Sequence, residues 1–474
     1  MSNDTCELVV IGGGPGGYPA AFYAADLGMK VTVIDKELNP GGVCLFKGCI
    51  PSKALLHVAK LVNEMKEAHE WGVNIGSVDI DLDKLRSFKE GVVNKLTGGL
   101  GMLSKQRNVD FIQGTASFVD NNTLKVETVD GETKELKFEK AIIATGSRPT
   151  QVPGLSIDSP RVVDSTGALE LPFNPKSLLV IGGGYIGLEM GSVYQAIGAE
   201  VTVVEMTPNL LPSADRDLVQ PLQKMLKTRF KDFKMKTKVN KLEDVGESVK
   251  VTFEDDKGNI SEENYEMVLM SIGRRPNSAG FGLENTGVKV NDRGWIETDS
   301  QRRTHQSNIW AIGDVAGEPK LAHKATYEGK VAVQAIMGKR SVYDPAAIPA
   351  VVFTDPEIAW AGLTELEAKD QGIAIKVAKF PWSASGRATT LDRSDGLTKL
   401  ITHPETEQIL GIGICGPGAG ELIAEGTLAI EMGATVEDLS LTIHPHPTLS
   451  ETVMESADAY YGHSPHFYQP KKKK

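Results

Sequence analysis

The stretch Val9-Val10-Ile11-Gly12-Gly13-Gly14-Pro15-Gly16-Gly17 joins an apolar run to the pattern G-x-G-x-x-G near the start of this 474-residue chain. The same arrangement returns as Leu178-Leu179-Val180-Ile181-Gly182-Gly183-Gly184-Tyr185-Ile186-Gly187. In each copy a helical stretch follows, and then a β-rich run that ends in an acid, Asp35 or Glu205. The acid lies 18 positions after the last glycine in both copies, near the spacing of about 20 that dinucleotide-binding βαβ units show. The repeat predicts two Rossmann-like units and an α/β fold.

The glycines and the acid have distinct tasks in such a unit. Glycine permits the tight turn and lets the backbone approach a pyrophosphate at the helix N-terminus, while the acid accepts hydrogen bonds from ribose hydroxyls. A carboxylate at Glu205 would repel a 2′-phosphate, so the second site favours NAD over NADP. The residues expected to bind the two dinucleotides are Gly12, Gly14, Gly17 and Asp35 in the first copy, and Gly182, Gly184, Gly187 and Glu205 in the second.

Two cysteines, Cys44 and Cys49, follow the first unit closely. A dithiol beside a redox cofactor can store two electrons as a disulfide opens and closes; the alternative is a pair of core cysteines. An ideal helix turns about 100° per residue, so five steps would not bring the two sulfurs together. We expect a distorted first helical turn, aided by Gly48.

Composition limits the class of protein. The chain is 41% hydrophobic and 24% charged and has a net charge of −11, which indicates a multidomain globular protein and argues against nucleic acid as a main partner. Four cysteines are too few for a disulfide-built secreted scaffold. No apolar run approaches the ~20 residues of a membrane span, and no leader is recognisable, so we expect a cytoplasmic protein. The lysines at 471–474 are expected to form a frayed, solvated tail.

Other segments have their own patterns. Residues 54–103 are expected to be helical, and residues 115–140 and 236–270 are expected to be β-rich. From Pro349 onward the pattern changes to an α+β unit. Its expected strands cover 351–353, 374–380, 397–402 and 409–414, and its expected helices cover 420–432 and 435–439. Two short segments fit a flavin bound across domains: Ala144-Thr145-Gly146, and Trp310-Ala311-Ile312-Gly313-Asp314, whose carboxylate would bind a ribityl chain.

Together these motifs resemble the pyridine nucleotide-disulfide oxidoreductase family, and the likeness covers nearly the whole chain. The motifs that carry it are Gly42 to Lys53, Ala144-Thr145-Gly146, Ser271-Ile272-Gly273-Arg274-Arg275-Pro276-Asn277, Ala311-Ile312-Gly313-Asp314, Leu321-Ala322-His323-Lys324-Ala325, and His444-Pro445-His446-Pro447-Thr448 with Glu451. The resemblance implies FAD and NAD as cofactors and no metal. It implies an FAD-binding domain with the redox disulfide at 1–150, an NAD-binding domain at 151–278, a central domain that completes the FAD site at 279–347, and a C-terminal dimerisation domain at 348–474.

The family pattern also implies roles for single residues. Cys44 would meet the substrate, Cys49 would lie against the flavin, and Lys53 would pair with Glu189 near the isoalloxazine. His446 would be the acid/base, because a group with a pKa near 6.5 suits a thiol. Glu451 would orient His446, which would act in the other subunit of a homodimer. The further residues implied to bind cofactor are Gly146, Gly273, Asp314 and Ala322.

Within the family, the motifs look most like those of members that oxidise protein-bound dihydrolipoamide to lipoamide and reduce NAD. Such members are the shared flavoprotein component of 2-oxo acid dehydrogenase complexes, so lipoyl domains and the complex core are the implied partners. Two features depart from that pattern: Tyr185, which looks more like glutathione reductase, and Phe46-Lys47 between the cysteines. The alternatives are another NAD(P)H-dependent disulfide reductase, which Tyr185 favours and Glu205 opposes, and a non-catalytic flavin-fold scaffold.

Overall fold

The structure is a computed structural model that describes residues 5–468; the lysines at 471–474 lie outside the described residues. Its first part is an α/β unit, as the first glycine pattern predicts. The elements of this part are β1 (Thr5–Ile11), α1 (Gly17–Asp26), β2 (Val31–Asp35), α2 (Gly42–Lys47), α3 (Cys49–Glu67), a 3-10 helix (Ala68–Trp71), α4 (Leu82–Gln106), β3 (Asp110–Phe118), β4 (Thr123–Thr128), β5 (Thr133–Ile143) and β6 (Ser147–Pro149).

The second part repeats this design and adds an antiparallel sheet. Its elements are β7 (Val162–Asp164), α5 (Ser165–Leu169), β8 (Ser177–Ile181), α6 (Tyr185–Ala196), β9 (Glu200–Glu205), α7 (Arg216–Arg229), β10 (Asp232–Met235), β11 (Lys238–Asp244), β12 (Val249–Glu254), β13 (Ile260–Tyr265), β14 (Met267–Met270) and β15 (Arg274–Pro276). A shorter third stretch contains a 3-10 helix (Leu283–Asn285), β16 (Ile309–Ala311), a 3-10 helix (Gly313–Val315) and α8 (Ala322–Ile336).

The two glycine patterns sit at equivalent positions of two parallel sheets. The first sheet has the parallel order β3-β2-β1-β5-β16, with β4 joined antiparallel to β3 and β5. The second has the order β10-β9-β8-β14-β7. Gly12 N–H donates to Ile34 O at 2.8 Å, and Gly182 N–H donates to Val204 O at 2.9 Å. The internal repeat is therefore a repeat of structure, as the sequence predicts.

The remaining β segments connect the two units. Strands β11, β12 and β13 form an antiparallel sheet, in agreement with the β-rich pattern predicted for residues 236–270. Strand β15 pairs antiparallel with β6 in a separate two-stranded sheet, so the chain that leaves the second parallel sheet returns to the segment that follows β5. Strand β16 joins the first sheet, so residues distant in sequence complete that sheet.

The C-terminal part is the α+β unit that the change of pattern after Pro349 predicts. Its elements are β17 (Ala350–Val352), β18 (Ile358–Gly362), α9 (Glu365–Gln371), β19 (Lys376–Pro381), a 3-10 helix (Trp382–Ala384), α10 (Gly386–Thr390), β20 (Leu397–Thr402), β21 (Ile409–Cys415), α11 (Ala419–Glu431), α12 (Val436–Leu441) and α13 (Glu451–Tyr461). The sheet is antiparallel in the order β17-β18-β21-β20-β19, and its inner face packs against the helices around Trp382, which is fully buried.

The predictions differ from the structure at residues 54–103, and in the C-terminal unit they omit β18, α9, α10 and α13. The stretch 54–103 is not one helical run, because Gly72 takes a φ of +79° after the short helix Ala68–Trp71 and an irregular segment precedes α4. Strand β18 was not predicted, since its sequence is a short apolar run with no alternation.

A buried lysine ties the second nucleotide unit to the C-terminal sheet. Lys399 Nζ on β20 lies 2.6 Å from Asp215 Oδ2, 2.8 Å from Asp217 Oδ1 and 2.8 Å from Glu365 Oε1. Its side chain is 1% exposed. A charge this deeply buried needs several partners, and these three carboxylates supply them. The cluster fixes the start of α7 against β20 and α9.

Within residues 5–468, none of the helices combines the length and the apolar character that a bilayer crossing needs.

Candidate active site

One deep cleft collects most of the residues that the motifs single out. It runs from the first glycine turn, past the cysteine pair, to the N-terminus of α6. The predicted site residues that line it are Gly12, Gly14, Asp35, Cys44, Cys49, Lys53, Gly146, Glu189, Asp314 and Ala322. Tyr185 and Arg274 line it as well.

The first glycine turn is shaped so that only glycine fits at its packed positions. A Cβ on Gly12 would lie 2.4 Å from Ala144 O, and one on Gly17 would lie 1.8 Å from Gly12 O. Gly14, in contrast, lines the cleft, and a Cβ on it would meet only the Cα of Gly42, at an ordinary contact distance of 3.8 Å. The turn therefore presents bare backbone and the N-terminus of α1 to the cleft, an arrangement that binds phosphate groups.

Each of the two strand-end acids holds its own glycine turn. Asp35 Oδ2 accepts the Gly13 N–H at 2.6 Å, and Glu205 Oε2 accepts the Gly183 N–H at 2.7 Å. The second oxygen of each acid accepts a backbone N–H two residues on, from Glu37 at 2.9 Å and from Thr207 at 2.8 Å. The acids are thus fixed in orientation beside the turns, where ribose hydroxyls of a dinucleotide would reach them.

Asp314 lines the cleft where β16 runs into the 3-10 helix Gly313–Val315. Its Oδ2 accepts the Ser147 hydroxyl at 2.5 Å, and Ser147 Oγ in turn accepts the Arg274 Nε–H at 2.7 Å. Arg274 also donates from Nη2 to Ser147 O at 2.6 Å. This hydrogen-bonded chain fixes the Asp314 carboxylate through the pairing of β6 with β15.

The two cysteines lie on separate helices. Cys44 is on α2, Cys49 begins α3, and Gly48 between them breaks the helix with φ −153° and ψ −113°. A Cβ on Gly48 would lie 2.9 Å from Val43 O, so the break requires glycine. The predicted distortion is therefore a break between two helices, and it brings the thiols within hydrogen-bonding reach of each other. Lys47, part of the departure Phe46-Lys47, binds Glu37 at 2.7 Å and lines the same cleft.

The two thiols differ in acidity. The hydrogen bond from Cys44 lowers the pKa of Cys49 to about 7, against the effect of burial, and the nearby Lys53 ammonium contributes. The same hydrogen bond and burial raise the pKa of Cys44 well above its ordinary value. With both cysteines as free thiols, Cys49 is therefore the sulfur that ionises near neutral pH. A thiolate is the reactive form in disulfide exchange.

Lys53 and Glu189 join the cysteine helix to the second nucleotide unit. Lys53 Nζ lies 2.8 Å from Glu189 Oε2, and Glu189 Oε1 accepts the Phe353 N–H at 2.9 Å. Glu189 is 3% exposed, so its charge is satisfied by these two partners. The pairing implied by the resemblance is present in this chain.

The second glycine turn lies beyond the cleft, with its neighbour Tyr185 facing in. Gly182 and Gly187 pack against backbone and side chain of Ser271, whereas Gly184 has open space where a Cβ would project. Gly273 takes a φ of +103° and does not line the cleft. Tyr185 begins α6, lines the cleft and is 41% exposed.

His446 and Glu451 form a pair elsewhere on the chain. His446 Nδ1 lies 2.8 Å from Glu451 Oε1, and Glu451 Oε2 accepts the Thr448 N–H at 2.7 Å. Burial raises the pKa of Glu451, but the Thr448 N–H and His446 hold it below its usual value. The His446 side chain is 73% exposed, and neither residue of the pair lines the cleft. Within one chain the cysteines and the imidazole are therefore apart.

Sequence reasoning missed some residues of the site. Ser147 follows the predicted Gly146, yet only the pairing of β6 with β15 brings it to Asp314 and Arg274. Arg274 lies inside the motif Ser271 to Asn277, so its position in that motif could have indicated that it belongs to the site. No local pattern indicated Phe353, whose backbone N–H binds Glu189.

Comparison with known proteins agrees with this geometry. The family described as pyridine nucleotide-disulphide oxidoreductase matches residues 6–329, and its dimerisation domain matches residues 348–457. The chain is 47% identical over 456 residues to a dihydrolipoyl dehydrogenase of Haemophilus influenzae, which covers 96% of this chain and 95% of the relative. It is 46% identical over 460 residues to a dihydrolipoyl dehydrogenase of Staphylococcus aureus, with 97% of each chain covered.

Solved structures agree in fold over nearly the full length. LpdA from Mycobacterium tuberculosis matches with a TM-score of 0.88 and 28% identity, covering 95% of this chain and 99% of that one. The HOCl-induced flavoprotein disulfide reductase RclA from Escherichia coli matches with a TM-score of 0.84 and 29% identity, covering 96% and 99%. On these matches, the chain belongs to the pyridine nucleotide-disulphide oxidoreductase family.

Proposed function

We propose that this protein is a dihydrolipoyl dehydrogenase, which oxidises protein-bound dihydrolipoamide to lipoamide and reduces NAD to NADH through FAD. The observation that carries the proposal is the Cys44–Cys49 thiol pair, which shares one cleft with Asp35 and Asp314. Relatives that are 46–47% identical along almost the whole chain bear this name. The relatives favour this function over a glutathione-reductase-like one, although Tyr185 remains a difference from the usual pattern.

The residues of the cleft fit FAD. Bare backbone at Gly14 and the N-terminus of α1 suit a pyrophosphate, Asp35 suits a ribose, and the fixed carboxylate of Asp314 suits a hydroxyl-rich chain. Cys49 and Lys53 line the same cleft. Glu205 at the second turn suits the free 2′-hydroxyl of NAD. We infer that Gly12, Gly14, Gly17, Asp35, Gly146, Asp314 and Ala322 hold FAD, and that Gly182, Gly184, Gly187, Glu205 and Gly273 hold NAD.

The substrate reacts first with the disulfide form of the cysteine pair. A thiolate of dihydrolipoamide attacks Cys44 Sγ, the Cys44–Cys49 bond breaks, and Cys49 leaves as a thiolate. A thiol of low pKa leaves faster, and the Lys53 ammonium, which lowers the pKa of Cys49, is still present when Cys44 is bonded to the substrate. The difference in pKa between the two thiols therefore supports Cys44 as the sulfur that meets the substrate and Cys49 as the sulfur that faces the cofactor.

The base then completes the exchange. His446 holds the proton of the first substrate thiol. The second substrate thiol then attacks the mixed disulfide, its proton goes to the released Cys44, and the substrate leaves as a cyclic disulfide. Glu451 binds Nδ1 of His446, fixes the tautomer and stabilises the charged ring, so Nε2 exchanges the proton. Two electrons and two protons pass from the substrate to the protein. FAD supplies the two-electron chemistry that reoxidises the cysteines and passes a hydride to NAD.

The reacting groups meet in a homodimer under this proposal. The dimerisation-domain match supports it, and so do two exposed apolar side chains just before His446 in the chain: Leu441 is 73% and Ile443 94% exposed. Such a patch marks a protein–protein contact. We further infer that lipoyl domains and the core of 2-oxo acid dehydrogenase complexes are the partners. A close pair of catalytic thiols among only four cysteines supports a cytoplasmic location.

Initial rates with two substrate pairs test the function directly. We expect fast NADH formation from NAD plus dihydrolipoamide, and little oxidation of NADPH by oxidised glutathione, because Glu205 opposes a 2′-phosphate. The measurement is absorbance of the nicotinamide in steady state. A preference for NADPH plus glutathione would reject the dehydrogenase and favour the glutathione-reductase-like alternative, whereas no rate with either pair, with FAD bound, would favour the scaffold.

Replacing Cys44 by serine tests the disulfide step. The variant Cys44→Ser should retain FAD but lose dihydrolipoamide oxidation by about 10³-fold or more, since the nucleophilic pair is broken. Reduction of an artificial dye by NADH does not use the disulfide and should remain. Appreciable lipoamide-dependent NADH formation by this variant would reject the role of Cys44.

Replacing His446 by glutamine tests the acid/base role. We expect His446→Gln to slow dihydrolipoamide oxidation by about 10²- to 10⁴-fold, the usual contribution of a general base. Dye reduction by NADH serves as the internal control and should change little. Equal loss of both activities would show that the residue supports the structure and not the proton transfer.

A comparison of two Cys44 variants tests why Cys49 is acidic. In FAD-loaded Cys44→Ala and Cys44→Ser, the Cys49 thiolate is followed by its long-wavelength charge-transfer absorbance as pH rises. Serine still donates a hydrogen bond, so its midpoint should stay near the wild-type pKa of about 7. In the alanine variant the midpoint should rise by about one unit, because a hydrogen bond to a charged group is worth roughly 1.5–3 kcal/mol. Identical midpoints would contradict the assigned cause.

A further inference from the structure

The loop that carries His446 contains a second histidine with a different environment. We call residues 442–448, between α12 and α13, the His446 loop. Most of its side chains face outward: Ile443 is 94% exposed and the His446 ring is 73% exposed. The His444 side chain, in contrast, is 5% exposed. His444 is therefore the point at which this outward-facing loop is anchored to the body of the domain.

Both ring nitrogens of His444 have oxygen partners. Nδ1 lies 2.8 Å from the carbonyl oxygen of Thr442, and Nε2 lies 2.7 Å from Glu425 Oε1 on α11. A carbonyl oxygen can only accept, so Nδ1 carries a proton. Nε2 and the Glu425 carboxylate then share the second proton in a charge-assisted hydrogen bond, which is stronger than a neutral one. With both nitrogens occupied, this ring is unsuited to exchange protons with a substrate.

The His446 loop is thus held at both ends. His444 ties its first half to α11, and the Thr448 N–H ties its second half to Glu451 on α13 at 2.7 Å. Thr448 Oγ1 also donates to Pro445 O at 2.7 Å, which links the two halves. His446 lies between these anchors, and its own contact with Glu451 fixes the ring but not the backbone before it.

We propose that His444, through its bond to Glu425, is a positioning residue that presents His446 to the thiol substrate. This inference rests on the proposed role of His446 as the base. A base works only within about 2.6–3.2 Å of the proton it takes, and a displacement of about 1 Å by a remote change can cost 10²-fold in rate. The His444–Glu425 pair, in which the imidazole is buried and the carboxylate is 31% exposed, supplies the rigidity that an exposed loop lacks.

The test is His444→Ala in the FAD-loaded dimer. The kcat of dihydrolipoamide oxidation should fall by about 10- to 100-fold, and FAD should be retained. Dye reduction by NADH should stay within about twofold of wild type, which is the spread expected for a step that the substitution does not touch. The matched control is His69→Ala, which removes a histidine from a surface His–Glu pair of 3.1 Å spacing and should change neither activity. Parallel loss of both activities, or no loss in either, would overturn the proposal.

A double-variant cycle separates positioning from structural support. If His444 acts through His446, then His444→Ala should cause no further loss of dihydrolipoamide oxidation in the His446→Gln background. Additive losses would overturn the proposal. If His446→Gln alone leaves the thiol reaction intact, the proposed base assignment fails, which is distinct from a failure of His444→Ala alone.

A milder variant decides the matter if His444→Ala does not fold. Glu425→Gln keeps a hydrogen-bonding partner for Nε2 but removes the charge, and should slow dihydrolipoamide oxidation by about fivefold, the difference between a charged and a neutral hydrogen bond. Dye reduction should again be unchanged. An unchanged thiol reaction in Glu425→Gln would overturn the proposal.

Discussion

The contact between Lys53 and Glu189 is the constraint on which the active cleft depends. Lys53 lies one turn after Cys49 on α3, and Glu189 lies one turn after Tyr185 on α6, so their 2.8 Å bond sets the distance between the cysteine pair and the second nucleotide turn. Because Glu189 is buried, loss of its partner would leave a charge without compensation, which is strongly unfavourable in proteins. The ion pair, together with the apolar packing of α3 against α6, therefore holds the cysteine helix against the second nucleotide unit.

The repeated unit explains why so much of this site was predictable from sequence. A glycine turn and its acid are 18 positions apart, and the βαβ connection between them forces both to the same sheet edge, so local spacing fixes their geometry. Both acids do the same work in the structure, binding the N–H of the glycine at the turn. The two acids, an aspartate at one site and a glutamate at the other, differ only in the length of the side chain.

Contacts between distant segments were beyond sequence reasoning. Ser147 and Asp314 are 167 positions apart, and Arg274 and Ser147 are 127 apart; nothing in the local pattern of either segment indicates that β6 and β15 pair. Strand β18 was missed because a short apolar run is compatible with helix or strand. The break in the helical stretch, by contrast, could have been found at Gly72. The cysteine pair was an intermediate case. The five-residue spacing excluded an ideal helix between the two cysteines, but it did not indicate that the chain would break into two helices at Gly48.

Within one chain, the cysteine pair and His446 lie in segments with different surroundings. The helix break between the cysteines needs Gly48 and lines the cleft, whereas the His446 loop contains two prolines and faces outward. Under the proposed role of His446, a base that is exposed on its own chain gains its working environment when another surface covers it, and the apolar residues beside the loop are suited to that contact. The hydrogen bond and the Lys53 ammonium that lower the pKa of Cys49 are built within one subunit, so the proposal links assembly to thiol chemistry through the base. His444, already buried within its own chain, keeps the loop in place before that contact forms.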